Sequence, residues 1–304
     1  MLGCLISGFG DGRGARAAEP ETERRKDTIV MGRVSSNAHK TYPKIERFVG
    51  HLAYKLRPLG ISRGAVRIAR NNKEMIELLR AGDVDFISET VMSALLMEER
   101  AGAEILLREW KKKRGWYRSI IIARSESGIK TLADLRGQKI AFEDRGSTSS
   151  FLVPLALMRR QGLKTVHLES HTDPVPADTV GYVFAGREIN ITAWVERKSV
   201  AAGALSNWDF LGKARTPRVM RQDLSVVYQS RPIIRSVFVA RAGVPETVKR
   251  GVREILLQMN GDQAGKRILK NYYKVKKYDE IEGEAAESLE ESRKLYSLIR
   301  DRIN

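Results

Sequence analysis

One rhythm, in which short apolar runs alternate with amphipathic helical segments, occurs twice along this chain. Strand-like runs at residues 28–33, 65–69 and 82–87 are separated by segments 43–56 and 72–81. In the first of these segments Ile45, Phe48, Val49, Leu52 and Leu56 recur at helical spacing. A β-α-β-α-β order needs crossover connections, and these impose a mostly parallel sheet with helices on its faces. A helix over 93–101 and strands near Ile105 and over 119–123 extend the unit. After Ser125 the rhythm restarts with Leu132 to Gly137, a strand from Lys139 to Phe142 and a helix over 150–161. Pro154 lies inside that helix, so it either kinks or starts later. A strand at 165–168, a helix at 187–195 and a strand of small residues at 199–206 follow. A strand over 236–241 then leads into three helices, the last over 284–303.

A chain of 304 residues exceeds what one compact core usually organises. The expected fold class is α/β with two lobes, each a mixed, mostly parallel sheet flanked by helices, joined by two hinge strands. The first lobe is discontinuous, residues 28–124 plus 237–304, and the second, 125–236, is inserted into it. Residues 1–27 form a signal-like or disordered N-terminal segment. A ligand is expected in the crevice beyond the carboxyl ends of the strands.

Lysine and arginine outnumber aspartate and glutamate by 54 to 37, a formal charge of +17, which favours anionic partners. No apolar run approaches the roughly 20 residues of a membrane-spanning helix. Cys4 is the only cysteine, so an intrachain disulfide is excluded. Around it, Met1-Leu-Gly-Cys4 faintly resembles a lipoprotein box, and Ala15-Arg-Ala-Ala18 the end of a secretory signal. The densest basic run, Lys111 to Arg114 between Trp110 and Trp116, reads either as a solvated loop or as a nucleic-acid patch. No recognised nucleic-acid module surrounds it. Walker, dinucleotide, Ser-x-x-Lys and Gly-x-Ser-x-Gly motifs are absent, and no enzyme activity or cofactor is expected.

The stretch from Gly137 to Ser150 runs from a strand through Gly146 into a hydroxyl-rich helix start. There Ser147, Thr148 and Ser149 stand where backbone N–H groups lack internal partners and the helix dipole is positive, a cradle for an oxyanion. Equally, Ser147 or Thr148 is simply an N-cap.

Several fragments in order resemble the phosphate, phosphite and phosphonate binding proteins of ABC importers, which have the type II periplasmic-binding-protein fold. They are Ala81 to Phe86, Tyr117 to Gly128, Leu132 to Phe142, Gly146-Ser-Thr-Ser149 with Pro154, Ser170-His171 and Val200 to Asn207. The resemblance implies a solute-binding protein, not an enzyme, that holds a small oxyanion through Ser147, Thr148, Ser149 and His171. It also implies a permease and its ATPase as partners, a periplasmic or cell-envelope location, a monomer, and membrane contact only through the importer or a lipid anchor. Where phosphonate-binding relatives commonly place a Pro and a Tyr after the Val-Asp strand, this chain has Ser88-Glu-Thr-Val-Met-Ser93. Glu89 would repel a dianion yet accept hydrogen bonds from a protonated phosphate, an amine or a hydroxyl.

Glu89 and Thr90 are thus candidate ligand contacts from the first lobe, or caps of the following helix. Asn207, beside Asp209, and Tyr42, near the first strand-helix turn, complete the candidate set. Trp194 and Trp208 wall either a pocket or a core. His167 and His171 stand four apart but lack a third metal ligand nearby. Asp83 and Asp85 flank a buried strand and terminate it. Two further readings are a sensory module of the same fold feeding a signalling partner, and a basic nucleic-acid binder.

Overall fold

The computed structural model describes residues 27–213 and 215–302. Cys4, the lipoprotein-like start and the alanine-rich cleavage sequence lie outside these residues. Two six-stranded sheets organise the chain. In the first, the order is Val275–Asp279, Glu104–Lys111, Val237–Ala240, Phe86–Glu89, Thr28–Val34 and Arg63–Ala69. The last three strands run parallel to one another, and the returning strand Val237–Ala240 pairs antiparallel on both sides. In the second, the order is Leu224–Gln229, Ser119–Arg124, Ala202–Ser206, Lys139–Phe142, Thr179–Phe184 and Lys164–His167. Its four strands from Ala202–Ser206 to Lys164–His167 are parallel. Strand Ser119–Arg124, expected in the first lobe, instead pairs antiparallel with Ala202–Ser206 and Leu224–Gln229. All but one of its residues are buried, and an apolar strand of this kind is satisfied only between two neighbours.

The chain passes from one sheet to the other at residues 112–118 and returns at 230–236. There Trp116–Tyr117 pairs with Ile233–Ile234 in a separate two-stranded ribbon. The C-terminal helix Glu284–Ser297, assigned by sequence to the first lobe, contacts the helices Val91–Ala101 and Val153–Arg160, one from each half. Arg160 meets Glu291 at 2.6 Å and Arg159 meets Asp301 at 2.6 Å, while Arg293 pairs with Glu98. The helix therefore joins both halves and belongs to neither alone. One apolar cluster is likewise continuous across them, running from Ile87 and Met97 through Leu295 and Ile299 to Phe142 and Leu155.

Local chemistry explains several helix ends. Asn71 accepts the Glu74 N–H at 3.0 Å to start the helix Asn72–Ala81, and Gly82 ends it in the left-handed conformation. The first long helix spans Ala38–Lys55, not 43–56, because Asn37 caps it and Pro43 is tolerated inside. Pro154 resolves in favour of the later start: the α-helix is Val153–Arg160, preceded by a π-helical turn over Thr148–Leu152. Such wide turns, whose N–H groups reach back five residues, cluster at functional sites.

Candidate functional site

A cleft of about 1220 Å³ lies between the halves, lined by residues from the carboxyl ends of strands in both sheets. The first sheet supplies Arg33, Ser35, Asn72, Glu89 and Thr90. The second supplies Glu143 to Ser149, Glu188, Ser206 and Asp209. Tyr117 and Arg235, from the connecting ribbon, lie along the same cleft. At the seam, the Thr148 hydroxyl donates to the Thr90 hydroxyl at 2.9 Å, and Thr90 donates on to Ser93 at 3.3 Å. Asn72 also donates to Ser93, at 3.0 Å.

The 147–149 turn serves two purposes. Ser147 is an N-cap: its hydroxyl accepts the Ser150 N–H at 3.3 Å and donates to a Glu143 carboxylate oxygen at 2.9 Å. Thr148 is 2 % exposed and, with Ser149, lines the cleft. The backbone N–H groups of these two residues have no acceptor among the described residues, as the start of a helical turn leaves them. The turn is pinned from behind by Ser119, which donates to the Ser149 carbonyl at 2.6 Å. Ser150 reinforces it by donating to the Ala204 carbonyl.

Carboxylates in the cleft are mostly neutralised. Arg33 lies 3.9 Å from Glu89, and although burial opposes its charge, Glu89 and neighbouring groups hold its guanidinium above the ordinary value. Arg215 bridges Asp209 and Glu188, the latter at 3.3 Å. Glu143 is pushed up to about 8, mainly by burial and then by repulsion from Glu188, Asp144 and Asp209, against the Ser147 hydrogen bond. It is therefore largely protonated at neutral pH.

Three sequence candidates lie elsewhere. His171 does not line the cleft. Its ring packs 5.1 Å from Trp194, and its carbonyl accepts from Lys139 at 2.8 Å, at the opening end of that strand, whereas Phe142 at the other end leads into the cleft. Tyr42 is 43 % exposed on the first helix, outside the lining. Asn207 accepts the Arg118 N–H at 2.9 Å and ties the ribbon to the second sheet. Trp208 donates to the Trp116 carbonyl at 2.9 Å, with Arg114 stacked 4.0 Å over its ring, so it also secures the ribbon. Asp85 accepts the Val30 N–H at 2.9 Å and pairs with Arg241. Of the basic run, Lys111 is not a free solvated cation: it is largely covered and meets Glu109 at 3.0 Å. Among the described residues no three His, Cys, Asp or Glu side chains group to hold a metal, and no helix is long and apolar enough to cross a membrane. Sequence reasoning missed Arg235 as a cleft residue, and took Tyr117 only as part of a strand motif.

A family model for the periplasmic substrate-binding protein of phosphonate ABC transporters matches residues 36–285. The chain belongs to this family. XAC2383 from Xanthomonas citri, solved with chloride and with ATP, is 28% identical over 91% of this chain and 100% of its own, with TM-scores of 0.86 and 0.85. PhnD1 from Prochlorococcus marinus (MIT 9301), solved with methylphosphonate, superposes at a TM-score of 0.61 over 88% of this chain and 98% of its own, at 15% identity. Its likeness is one of fold, the type II periplasmic-binding-protein fold expected from the sequence. A protein of Escherichia coli (strain K12) named for binding aliphatic sulfonates is 32% identical over 121 residues, 40% of this chain. The chain spans about a third of the length of that curated relative. The family is one of solute-binding components of importers, and the relatives named here are associated with chloride, ATP, methylphosphonate or aliphatic sulfonates.

Proposed function

We propose that this protein captures an organic phosphonate or phosphate in the cleft and delivers it to the permease and ATPase of an importer, without chemical turnover, in the periplasm. Residues 28–111 with 237–279 act as one moving body and 119–229 as the other, closing about the ribbon. The observation that carries this reading is the seam itself. Thr90 and Thr148, from opposite halves, place hydroxyls 2.9 Å apart beside the open N–H groups of Thr148 and Ser149. An oxyanion at that position takes donors from both halves and so favours the closed form.

Four of the six acidic residues that line the cleft do not oppose this, and the other two, Glu77 and Asp144, are exposed to solvent. Glu89, Asp209 and Glu188 each have an arginine partner, and Glu143 holds a proton. The cleft volume of about 1220 Å³ exceeds the roughly 300–1,000 Å³ typical of small-molecule sites, which leaves room for an organic substituent. The bound ligands of the relatives, ATP in one and methylphosphonate in another, fall in the proposed class.

Titration calorimetry with methylphosphonate, phosphite, phosphate and methanesulfonate tests the reading. Saturable binding of a phosphorus oxyanion, weakened about tenfold or more by Thr148→Val, is expected. Folded protein that binds none of the four overturns it.

A further inference from the structure

Arg235 is the unusual cation of the cleft. Arg70, Lys73, Arg80, Arg100 and Arg145 are exposed at its rim, and Arg33 and Arg215 have carboxylate partners. Arg235 is half-buried and makes no side-chain hydrogen bond or ion pair among the described residues. Burial disfavours its charge most, Tyr117 and Asp209 oppose this, and Arg114 and Arg215 add to it. On the facing strand of the ribbon, opposite Ile233, Tyr117 is 7 % exposed, and its hydroxyl oxygen is buried without a hydrogen-bond partner among the described residues. Thr148 is near enough to influence that hydroxyl but not in hydrogen-bond geometry. Both side chains line the cleft, and their strands are locked together by the Tyr117–Ile233 pairing and by the Arg235 N–H donating to the Gly115 carbonyl at 3.0 Å.

A buried phenol without a partner is costly unless something else satisfies it, and a half-buried guanidinium with no carboxylate beside it keeps its charge for an incoming anion. We propose that Arg235 and Tyr117 form an anion subsite built into the hinge itself, which anchors a dianionic phosphonate or phosphate-monoester head group. Arg235 supplies the charge and a planar fork of donors, Tyr117 one further donor, and Thr90 and Thr148 complete the ring from either side. Because these two residues sit where the halves join, they are in place before closure. The ligand meets the hinge first and recruits the two halves second. A second full negative charge gains most from an unpaired cation, so the subsite ranks a phosphonate dianion above a sulfonate monoanion of the same shape.

The subsite rests on the oxyanion reading above, and one experiment separates the two. Calorimetry with methylphosphonate and methanesulfonate is run on the wild type, Arg235→Gln and Tyr117→Phe, alongside thermal melts of the ligand-free proteins. Expected are a methylphosphonate affinity lowered about 10- to 100-fold by Arg235→Gln and about tenfold by Tyr117→Phe, with a smaller loss for methanesulfonate. Melting temperatures of the empty variants should be unchanged or higher, since Tyr117→Phe removes a buried hydroxyl without a partner and Arg235→Gln breaks no side-chain hydrogen bond or ion pair among the described residues. Wild type that binds neither these two anions nor phosphite nor phosphate defeats the oxyanion reading, whereas wild type that binds another of the four but not methylphosphonate overturns the hinge subsite alone. Wild type that binds methylphosphonate while Arg235→Gln binds it equally well, or variants that melt several degrees lower, overturn the hinge subsite alone.

Discussion

Glu143→Gln tests the electrostatics of the cleft directly. The folded protein holds this carboxyl at about 8 against an ordinary value of 4.5, so between those pH values the folded state keeps a proton that the unfolded chain has released. The unfolded state then binds fewer protons, and stability must fall as pH rises from about 5 to about 8, levelling off above. At about 1.4 kcal/mol per tenfold change, the full fall is on the order of 4 kcal/mol. Glutamine mimics the protonated form in shape, and its carbonyl can still accept from Ser147. At pH 5 wild type and variant should therefore melt together. By pH 9 the variant should melt higher, by roughly 2 °C per kcal/mol for a chain of this size, or about 8 °C. Comparing the difference between the two proteins at each pH cancels the effect of the +17 formal charge. Scanning calorimetry from pH 5 to pH 9 reads it. Parallel profiles over the whole range would refute the argument, because they would mean that Glu143 ionises as freely folded as unfolded.

Three further outcomes follow from positions described above. His171→Ala should leave methylphosphonate affinity within about twofold by calorimetry, because the ring packs on Trp194 outside the cleft. Glu109→Gln should lower stability by about 3–5 kcal/mol in urea unfolding: Lys111, Ser88 and Tyr278 all converge on that fully buried carboxylate, and Lys111 would be left an unpaired buried cation. Gly203→Val should abolish soluble expression or lower the melting point sharply, since a Cβ there meets Ile191 at 2.4 Å and Val195 at 3.0 Å.

What the sequence revealed was whatever depends on neighbours along the chain. Helical spacing and the strand-helix alternation located most elements of both sheets, and the Gly146 to Ser149 turn was readable because its donors are consecutive. Pairing across long separations was not readable. Strand Ser119–Arg124 looks like the close of the first unit, yet its partners are Ala202–Ser206 and Leu224–Gln229. Strands Thr179–Phe184 and Val275–Asp279 were passed over, the first for its short mixed pattern and the second for its charge. His171 follows an edge strand, and the loop after it carries the side chain to the wrong end of the sheet, which no local signal encodes. Tyr117 and Arg235 line one cleft only because two distant crossings form one ribbon. A tyrosine in an aromatic-basic run and an arginine after two isoleucines carry little signal of their own.

The helix Glu284–Ser297, bound to Glu98 on one side and to Arg160 on the other, adds a third tie between halves that the two ribbon strands alone would leave loosely articulated. Two flexible cords permit both swinging and twisting. A stiff rod fastened across them removes the twist and leaves a single axis of rotation. Under the closure proposed above, the halves would then meet in a single register, returning Thr148 to Thr90 and not to a neighbouring residue.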